Sequence, residues 1–365
     1  MKKHTVLILV FIIFSFYCRG QDVRLTFSPS ITNSQDSSVK AIAQLWNDYL
    51  NSIQTKQSDS IQKSFWYNEL DDLLKYWTIG TISYEFGEQF TFSIRKYSDN
   101  IYEIHSLYLF PPESRMFDIM RMYKVCATKT NGEFKLLNYF DVYKHSLQNH
   151  NSDNVEFYYP CGFNFDIEKA NNAAKFILQF QNDYNVKNSK EKIIYLIGNS
   201  LTESNSFMGF DFSTATSENK NAGYFLYPRI VFTCRPDHIH EFVHAIMIPE
   251  YPDALGILHE GIATYYGGIA GQDYVFHRNN LKNYVNKNSI DFSEPSIFYT
   301  INIGNNTILY KMVGALMIEY ALTNYGIHKV VELFSCKNYE DIFSKLGIKI
   351  DDVNNFFILL INEKL

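Results

Sequence analysis

The chain has 365 residues, of which 46% are hydrophobic and 20% are charged, and its formal net charge at pH 7 is −6. This length suggests two domains. A negative net charge with scattered basic residues gives no basis for nucleic-acid binding.

The amino terminus has the pattern of an export signal. Two lysines precede an apolar run over residues 6–17, which is too short to span a bilayer comfortably, and the small residue Gly20 ends the segment. We therefore predict a signal peptide over residues 1–20 and a secreted, periplasmic or cell-surface protein with no membrane span in the mature chain. A lipoprotein anchored through Cys18 is less favoured because bulky Tyr17 precedes it, and an uncleaved anchor is the third alternative.

Residues 21–155 are predicted to form a small α+β domain. Apolar residues between Val39 and Ile53 have helical spacing, which indicates an opening helix. Alternating or apolar strand-like runs follow at residues 90–95, 101–110, 120–128 and 134–143. Asn131-Gly132 lies between the last two runs and is typical of a two-residue hairpin turn. A helix followed by a curved antiparallel sheet is similar in outline to the cystatin-like and NTF2-like folds.

Residues 156–365 are predicted to form a second, mostly helical domain with a small sheet. A polar stretch over residues 145–154 separates the two regions. Residues 167–184 have helical spacing, and apolar strand-like runs follow at 192–197 and 230–232. The overall fold class is therefore α+β.

Four cysteines remain after removal of the predicted signal: Cys126, Cys161, Cys234 and Cys336. An even number in an oxidising compartment permits disulfides in three pairings. Free buried thiols are equally compatible with the sequence, because a chain of this length builds its core without crosslinks.

The strongest chemical signal is the stretch His240-Glu241-Phe242-Val243-His244, which has the pattern H-E-x-x-H. Two histidines four residues apart on a helix lie one turn apart on one face, so both imidazoles can bind one ion. A catalytic zinc needs three protein ligands and an open position for water, and the intervening glutamate can take a proton from that water. The sequence thus predicts a zinc hydrolase.

The third ligand is less constrained by the pattern. Met247 stands where a metzincin would carry glycine, which excludes that subclass. The remaining candidates are Glu250, Asp253, His259 and Glu260. The first two flank prolines in a turn-like stretch, where loop residues are usually solvated. The other two are adjacent on a second predicted helix and point in different directions, so only one of them is expected to bind the ion.

The segment Glu260-Gly261-Ile262-Ala263, sixteen residues after His244, resembles the E-G-[LIF]-A segment of gluzincins in the peptidase MA-like group, to which the aminopeptidase N family is distantly related. The resemblance covers roughly residues 165–350. It implies a zincin-like domain with one Zn²⁺ per chain bound by His240, His244 and Glu260, and Glu241 as general base and acid. It also implies that Tyr310, in a closing pattern similar to the family's, donates a hydrogen bond to the oxyanion.

The expected activity is hydrolysis of peptide bonds in a peptide or protein substrate. Related aminopeptidases carry a G-x-M-E-N strand whose glutamate holds the substrate's amino group, but the comparable stretch here, residues 223–229, has no acid. An endopeptidase is therefore favoured over an aminopeptidase. The alternative is a non-catalytic extracytoplasmic binding protein that keeps a zinc-stabilised peptidase scaffold.

Overall fold

A computed structural model describes residues 25–55, 57–67, 88–109, 119–187, 192–213, 220–226 and 228–363. The predicted signal peptide and Cys18 lie outside the described residues. The described helices are α1 (Pro29–Thr32), α2 (Ser37–Gln54), α3 (Asp59–Ser64), α4 (Tyr139–Tyr143), α5 (Ile167–Asp183), α6 (Leu201–Ser206), α7 (Ile239–Glu250), α8 (Gly256–Gly267), α9 (Tyr274–Val285), α10 (Leu309–Tyr325), α11 (Ile327–Leu333), α12 (Tyr339–Lys345) and α13 (Val353–Asn362). The described strands are β1 (Leu25–Phe27), β2 (Glu88–Lys96), β3 (Ile101–Leu109), β4 (Ile119–Thr130), β5 (Glu133–Leu137), β6 (Gln148–Ser152), β7 (Val155–Tyr159), β8 (Ile193–Ile197), β9 (Phe210–Ser213), β10 (Gly223–Leu226), β11 (Ile230–Thr233), β12 (Asn302–Gly304) and β13 (Thr307–Ile308).

The chain is a mixed helix and strand protein that divides into two compact units. Unit 1 comprises Met1–His145 with Asn205–Thr216, and unit 2 comprises Ser146–Ser204 with Ser217–Leu365. Across the described residues, we find no helix with the length and apolar character needed to cross a bilayer.

Unit 1 is built on one sheet in the order β1-β2-β3-β4-β5, and β9 also pairs with β4. Helix α2 covers one face, where the indole of buried Trp46 donates to the hydroxyl of Thr91 at 3.2 Å. Strands β4 and β5 are joined through Asn131 and Gly132, whose φ angles are 52° and 88°. The predicted hairpin is thus confirmed, since both turn residues have the positive φ of a type I′ turn.

The strand predicted over residues 134–143 is wrong in its second half. Strand β5 ends at Leu137, and the side chain of Asn138 accepts a hydrogen bond from the backbone N–H of Phe140. Asparagine at this position caps a helix, so the apolar residues that follow form α4 instead of extending the strand.

The domain boundary predicted between residues 155 and 156 also differs from the observed division, which follows His145. Residues 148–152 form β6, which pairs with β7 in a hairpin inside unit 2. Strand β6 has a polar sequence and is largely solvent-exposed at the end of the sheet, which explains why its composition resembles a linker.

Unit 2 contains a five-stranded sheet in the order β10-β11-β8-β7-β6. Strands β7, β8 and β11 are parallel, whereas β10 runs antiparallel to β11 at the edge. Helix α7 packs on this sheet through Phe242, whose ring stacks on that of Tyr195 at 4.4 Å between centroids. Because both rings are fully buried, the first turns of α7 are held firmly against the sheet.

Helices α8 and α10 approach each other through two glycines. A Cβ added to Gly261 would lie 2.4 Å from the carbonyl carbon of Gly314, and one added to Gly314 would lie 2.2 Å from the carbonyl oxygen of Ile257. Neither position has room for a side chain, so the backbones of the two helices are in direct contact.

All four described cysteines are free: Cys126 and Cys336 are buried, Cys161 is exposed and Cys234 is intermediate. No disulfide therefore forms among them, and the free-thiol alternative describes this structure. The large buried cores of the two units explain why crosslinks are not needed.

Candidate metal centre

The two histidines of the H-E-x-x-H stretch lie on α7, with their rings on the same side. Their Nε2 atoms are 3.2 Å apart, and both side chains are more than nine-tenths buried. The helix packs here because apolar residues fill the two variable positions of the motif and follow its second histidine, with Phe242, Val243 and Ala245 in the core. The polar pair is thus placed inside an apolar helix.

The orientation of His240 is set by the backbone of unit 2. Its Nδ1 lies 2.7 Å from the carbonyl oxygen of Gly268 and can only donate there, so Nε2 carries the lone pair. This contact is possible because the end of α8 touches the start of α7, where a Cβ on Gly267 would lie 2.2 Å from the backbone nitrogen of His240. The Nδ1 of His244 is buried and has no hydrogen-bond partner among the described residues.

Glu260 on α8 provides the third group that could bind a metal ion. Its Oε2 is 3.4 Å from Nε2 of His240, and its Oε1 is 3.6 Å from Nε2 of His244. Lys311, on the first turn of α10, lies 2.8 Å from Oε2. Burial alone would raise the pKa of Glu260, but the neighbouring His240 and His244 and the positive charge of Lys311 hold the pKa well below its usual range. The carboxylate is therefore ionised and available as a ligand.

These three side chains could hold one metal ion. One ligand atom from each of His240, His244 and Glu260 can be chosen so that all three lie within 4.8 Å of one another. Ligands that share a tetrahedral ion at about 2.0–2.1 Å are separated by roughly 3.3 Å, which matches the 3.2 Å between the two Nε2 atoms, and each Nε2 has one oxygen of Glu260 at 3.4 or 3.6 Å. Two imidazole nitrogens that face each other at this distance are also poor neighbours unless a proton or a cation lies between them.

Glu241 follows His240 on α7 and is 6% exposed. It faces the edge strand β10, since a Cβ on Gly223 would lie 3.0 Å from its Cγ and 2.3 Å from Nδ1 of His238. Because Gly223 has no side chain, the backbone of the edge strand approaches the carboxylate closely. The other edge of β10 pairs with no strand in the part of the chain that the structure describes.

Tyr310 lies beside this cluster at the start of α10, next to Lys311. Its hydroxyl is 2.8 Å from the position that a Cβ on Gly256 would occupy, at the beginning of α8. Burial raises the pKa of the Tyr310 phenol, and the neighbouring Tyr299 and Tyr339 and the charge of Glu260 act in the same direction. The phenol therefore keeps its proton and can donate it in a hydrogen bond.

The other candidates for the third ligand are not part of the cluster. The Nε2 of His259 donates to the carbonyl oxygen of Tyr251, 3.0 Å away, and its ring packs against Phe334. Glu250 ends α7 and Asp253 follows it in the connecting turn, and neither belongs to the His–His–Glu group.

Two contributors to the site were not predicted from the sequence. Lys311 is adjacent to Tyr310 in the closing pattern, but one lysine among many carries no distinctive signal. The carbonyl of Gly268 is a backbone group, and only the Gly267-Gly268 pair at the end of the helix marked its position.

No protein-family model matches this chain, and neither a curated protein nor a solved structure matches it.

Proposed function

We propose that the chain is a secreted zinc-dependent peptidase of the gluzincin type, preferentially an endopeptidase. The observation that carries this proposal is the convergence of His240, His244 and Glu260, with a buried Glu241 on the helix of the two histidines. Under this proposal, unit 2 is a zincin-like peptidase domain and unit 1 is a cystatin-like or NTF2-like accessory domain.

His240, His244 and Glu260 would hold the ion. A zinc ion in this position supplies a Lewis acid that polarises a substrate carbonyl and makes a water molecule more acidic. Glu241 is the base that accepts the proton of the attacking water and later delivers it to the leaving amine. Its burial beside Gly223 protects the carboxylate from bulk solvent.

Strand β10 provides the surface for a peptide. It is the last strand of the sheet among the described residues, and a chain that runs extended along it would pass close to Glu241, because Gly223 has no side chain there. Tyr310 donates its protonated hydroxyl to the oxygen that becomes negative during the attack, a contribution typically of a few kcal/mol. The absence of an acidic residue in the 223–229 sequence leaves no anchor for a substrate amino group, which favours internal cleavage.

The decisive experiment compares wild type with Glu241→Gln. Zinc is measured by elemental analysis, and cleavage is measured on a degenerate peptide library by mass spectrometry. We expect about one zinc per chain in both proteins, because the ligands are unchanged, and a loss of roughly 10² to 10⁴ in cleavage rate in the variant. Glu250→Gln, at the other end of the same helix, is the matched control and should behave as wild type.

Each outcome has a distinct meaning. Full activity in Glu241→Gln would place the base elsewhere. Zinc binding by the wild type without cleavage of any peptide would favour the non-catalytic scaffold, which needs the ligands but not the base. A wild-type protein without zinc would contradict both hypotheses.

A further inference from the structure

We infer that Tyr299 forms an aromatic subsite beside the metal centre and that it selects substrates with a large aromatic or aliphatic side chain next to the scissile bond. This inference rests on the proposed function and adds the substrate class to it.

The first observation is an exposed ring in a fixed position. Tyr299 is 66% exposed, and among the large hydrophobic side chains of the described residues only Leu359 is as exposed. Leaving such a ring in water costs free energy, because its apolar surface stays hydrated. An exposed ring that is also held in place is therefore a candidate for contact with a ligand.

The ring is held from two sides. Tyr299 ends a short 3₁₀ turn, Pro295–Tyr299, whose preceding residue Phe298 is fully buried. On its other side the ring lies 4.3 Å from the ring of Tyr310 between centroids, at an interplanar angle of 30°. The buried phenylalanine anchors the backbone and the ring contact orients the side chain, so little conformational entropy would be lost when a substrate binds.

The hydroxyl group lies close to two other phenols. After burial, Tyr299 is a further cause of the raised pKa of both Tyr310 and Tyr339, so the three hydroxyl groups are near one another. Because the polar end of Tyr299 faces these phenols, the part of the side chain available to a ligand is the apolar ring face. An aromatic or aliphatic partner matches that face better than a charged one.

The location connects the ring to the reaction. Tyr310 is adjacent in sequence to Lys311, which lies 2.8 Å from the ligand oxygen of Glu260. Suppose that a peptide binds with its scissile carbonyl at the cluster and its carbonyl oxygen near Tyr310. A side chain next to that carbonyl is then within reach of the ring of Tyr299, which packs against Tyr310. Lys311 is paired with Glu260, so it does not give the subsite a free charge.

The test uses four proteins: wild type, Tyr299→Ala, Tyr299→Phe and Tyr325→Ala. Tyr325 is the matched control, because it is an exposed tyrosine of unit 2 whose ring also packs on another tyrosine, Tyr320. A degenerate peptide library first defines the cleaved bonds. Specificity constants kcat/KM are then measured on two peptides that differ only in having Phe or Ala beside the scissile bond.

We expect wild type to prefer the Phe peptide. Tyr299→Ala should lower kcat/KM for the Phe peptide about 3- to 10-fold, the range expected for an aromatic pair, and should change the value for the Ala peptide by less than about twofold. Tyr299→Phe keeps the ring and should retain the preference, and Tyr325→Ala should have no effect. In a Glu241→Gln background, titration calorimetry should show the same selective loss of affinity for the Phe peptide.

Equal losses for both peptides in Tyr299→Ala would overturn the inference, because they would show that Tyr299 only supports Tyr310. Loss of the preference in Tyr299→Phe would overturn it as well, since the hydroxyl would then be responsible. If wild type cleaves both peptides equally, the inference fails and the proposed function stands, whereas a wild type that neither binds nor cleaves peptides refutes both. Tyr299→Phe and the zinc content of each variant exclude misfolding as the cause.

Discussion

Each unit contains a cluster of histidine, glutamate and a basic residue. The two clusters differ in the groups that surround the Nε2 atoms of their histidines. In unit 1, Glu103 accepts from Arg95 at 2.9 Å and lies 3.0 Å from Nε2 of His105. In unit 2, Nε2 of His240 and Nε2 of His244 face each other and Glu260 together. Both glutamates have a lowered pKa, so the ionisation of the carboxylate does not distinguish the clusters.

The cluster of unit 1 is complete in itself. One imidazole donates to one carboxylate, and the guanidinium of Arg95 neutralises that carboxylate. The cluster of unit 2 has two converging imidazole nitrogens. In the ring of His240 the proton is on Nδ1, which donates to the carbonyl oxygen of Gly268, so Nε2 faces the cluster with its lone pair. Both clusters place histidine next to glutamate, and only the unit 2 cluster adds two converging imidazole nitrogens, which is the arrangement that could hold a metal ion.

The largest effect is expected when a histidine of the unit 2 cluster is removed, and the same change in unit 1 provides the comparison. His244→Ala should lose the bound zinc and all detectable cleavage, because two ligands bind zinc far more weakly than three. His105→Ala should retain both. Elemental analysis and the peptide-library assay measure the two properties, and a His105→Ala protein without zinc would show that the distinction between the clusters is incorrect.

A second substitution tests the packing that positions the unit 2 cluster. Gly314→Ala places a methyl group against the backbone of α8, so we expect a loss of about 1–3 kcal/mol in the free energy of unfolding, the range for overpacked cores. Cleavage should also fall, because the added methyl group would displace α10 and thereby move Lys311 and Tyr310 away from Glu260.

Thr323→Ala, at an exposed position on the same helix, is the control for Gly314→Ala and should change stability by no more than about 0.5 kcal/mol. Urea unfolding of both variants provides the measurement. A Gly314→Ala protein as stable and as active as wild type would contradict direct contact between the helix backbones.

The smallest expected effect is the pH dependence of unit 1. Burial lowers the pKa of His105, and the charges of Arg95 and Lys124 add to this, although Glu103 opposes them. The unfolded chain then binds the proton more readily than the folded chain, so the free energy of unfolding should decrease as the pH falls below about 6.5. The lowered pKa of Glu103 has the same sign and acts at lower pH, below its ordinary value of 4.5.

His105→Gln should make this decrease shallower between pH 7 and pH 5. Urea unfolding at a series of pH values provides the comparison with wild type, and the difference between the two curves removes contributions from other histidines. An identical slope in both proteins would mean that His105 does not titrate differently in the folded and unfolded chains.

The sequence predicts the His–His–Glu cluster well because its information is local. The i, i+4 spacing of His240 and His244 fixes their common face, and the resemblance of the short segment that contains Glu260 implies this residue as their partner. The structure brings all three together and places Tyr310 beside them. Gly268 and Tyr299 were not predictable, because their roles arise from contacts between elements distant in sequence.

The fold shows the same division between local and non-local information. The Asn131-Gly132 turn was predicted because its residue types have a direct conformational reason. Strand β6 was missed because a polar edge strand is specified by its pairing with β7 and not by its own composition. The predicted strand over residues 134–143 failed where a single helix-capping residue, Asn138, outweighed apolar periodicity.

The contact between Gly261 and Gly314 also limits which substitutions can change the proposed cleavage preference. Main-chain atoms set the separation of α8 and α10, so repacking of nearby side chains cannot adjust the distance from Glu260 to the first turn of α10. The 3₁₀ turn Pro295–Tyr299 is not subject to that constraint. A laboratory selection for altered cleavage preference should therefore accumulate substitutions within residues 295–299 and leave both glycines unchanged.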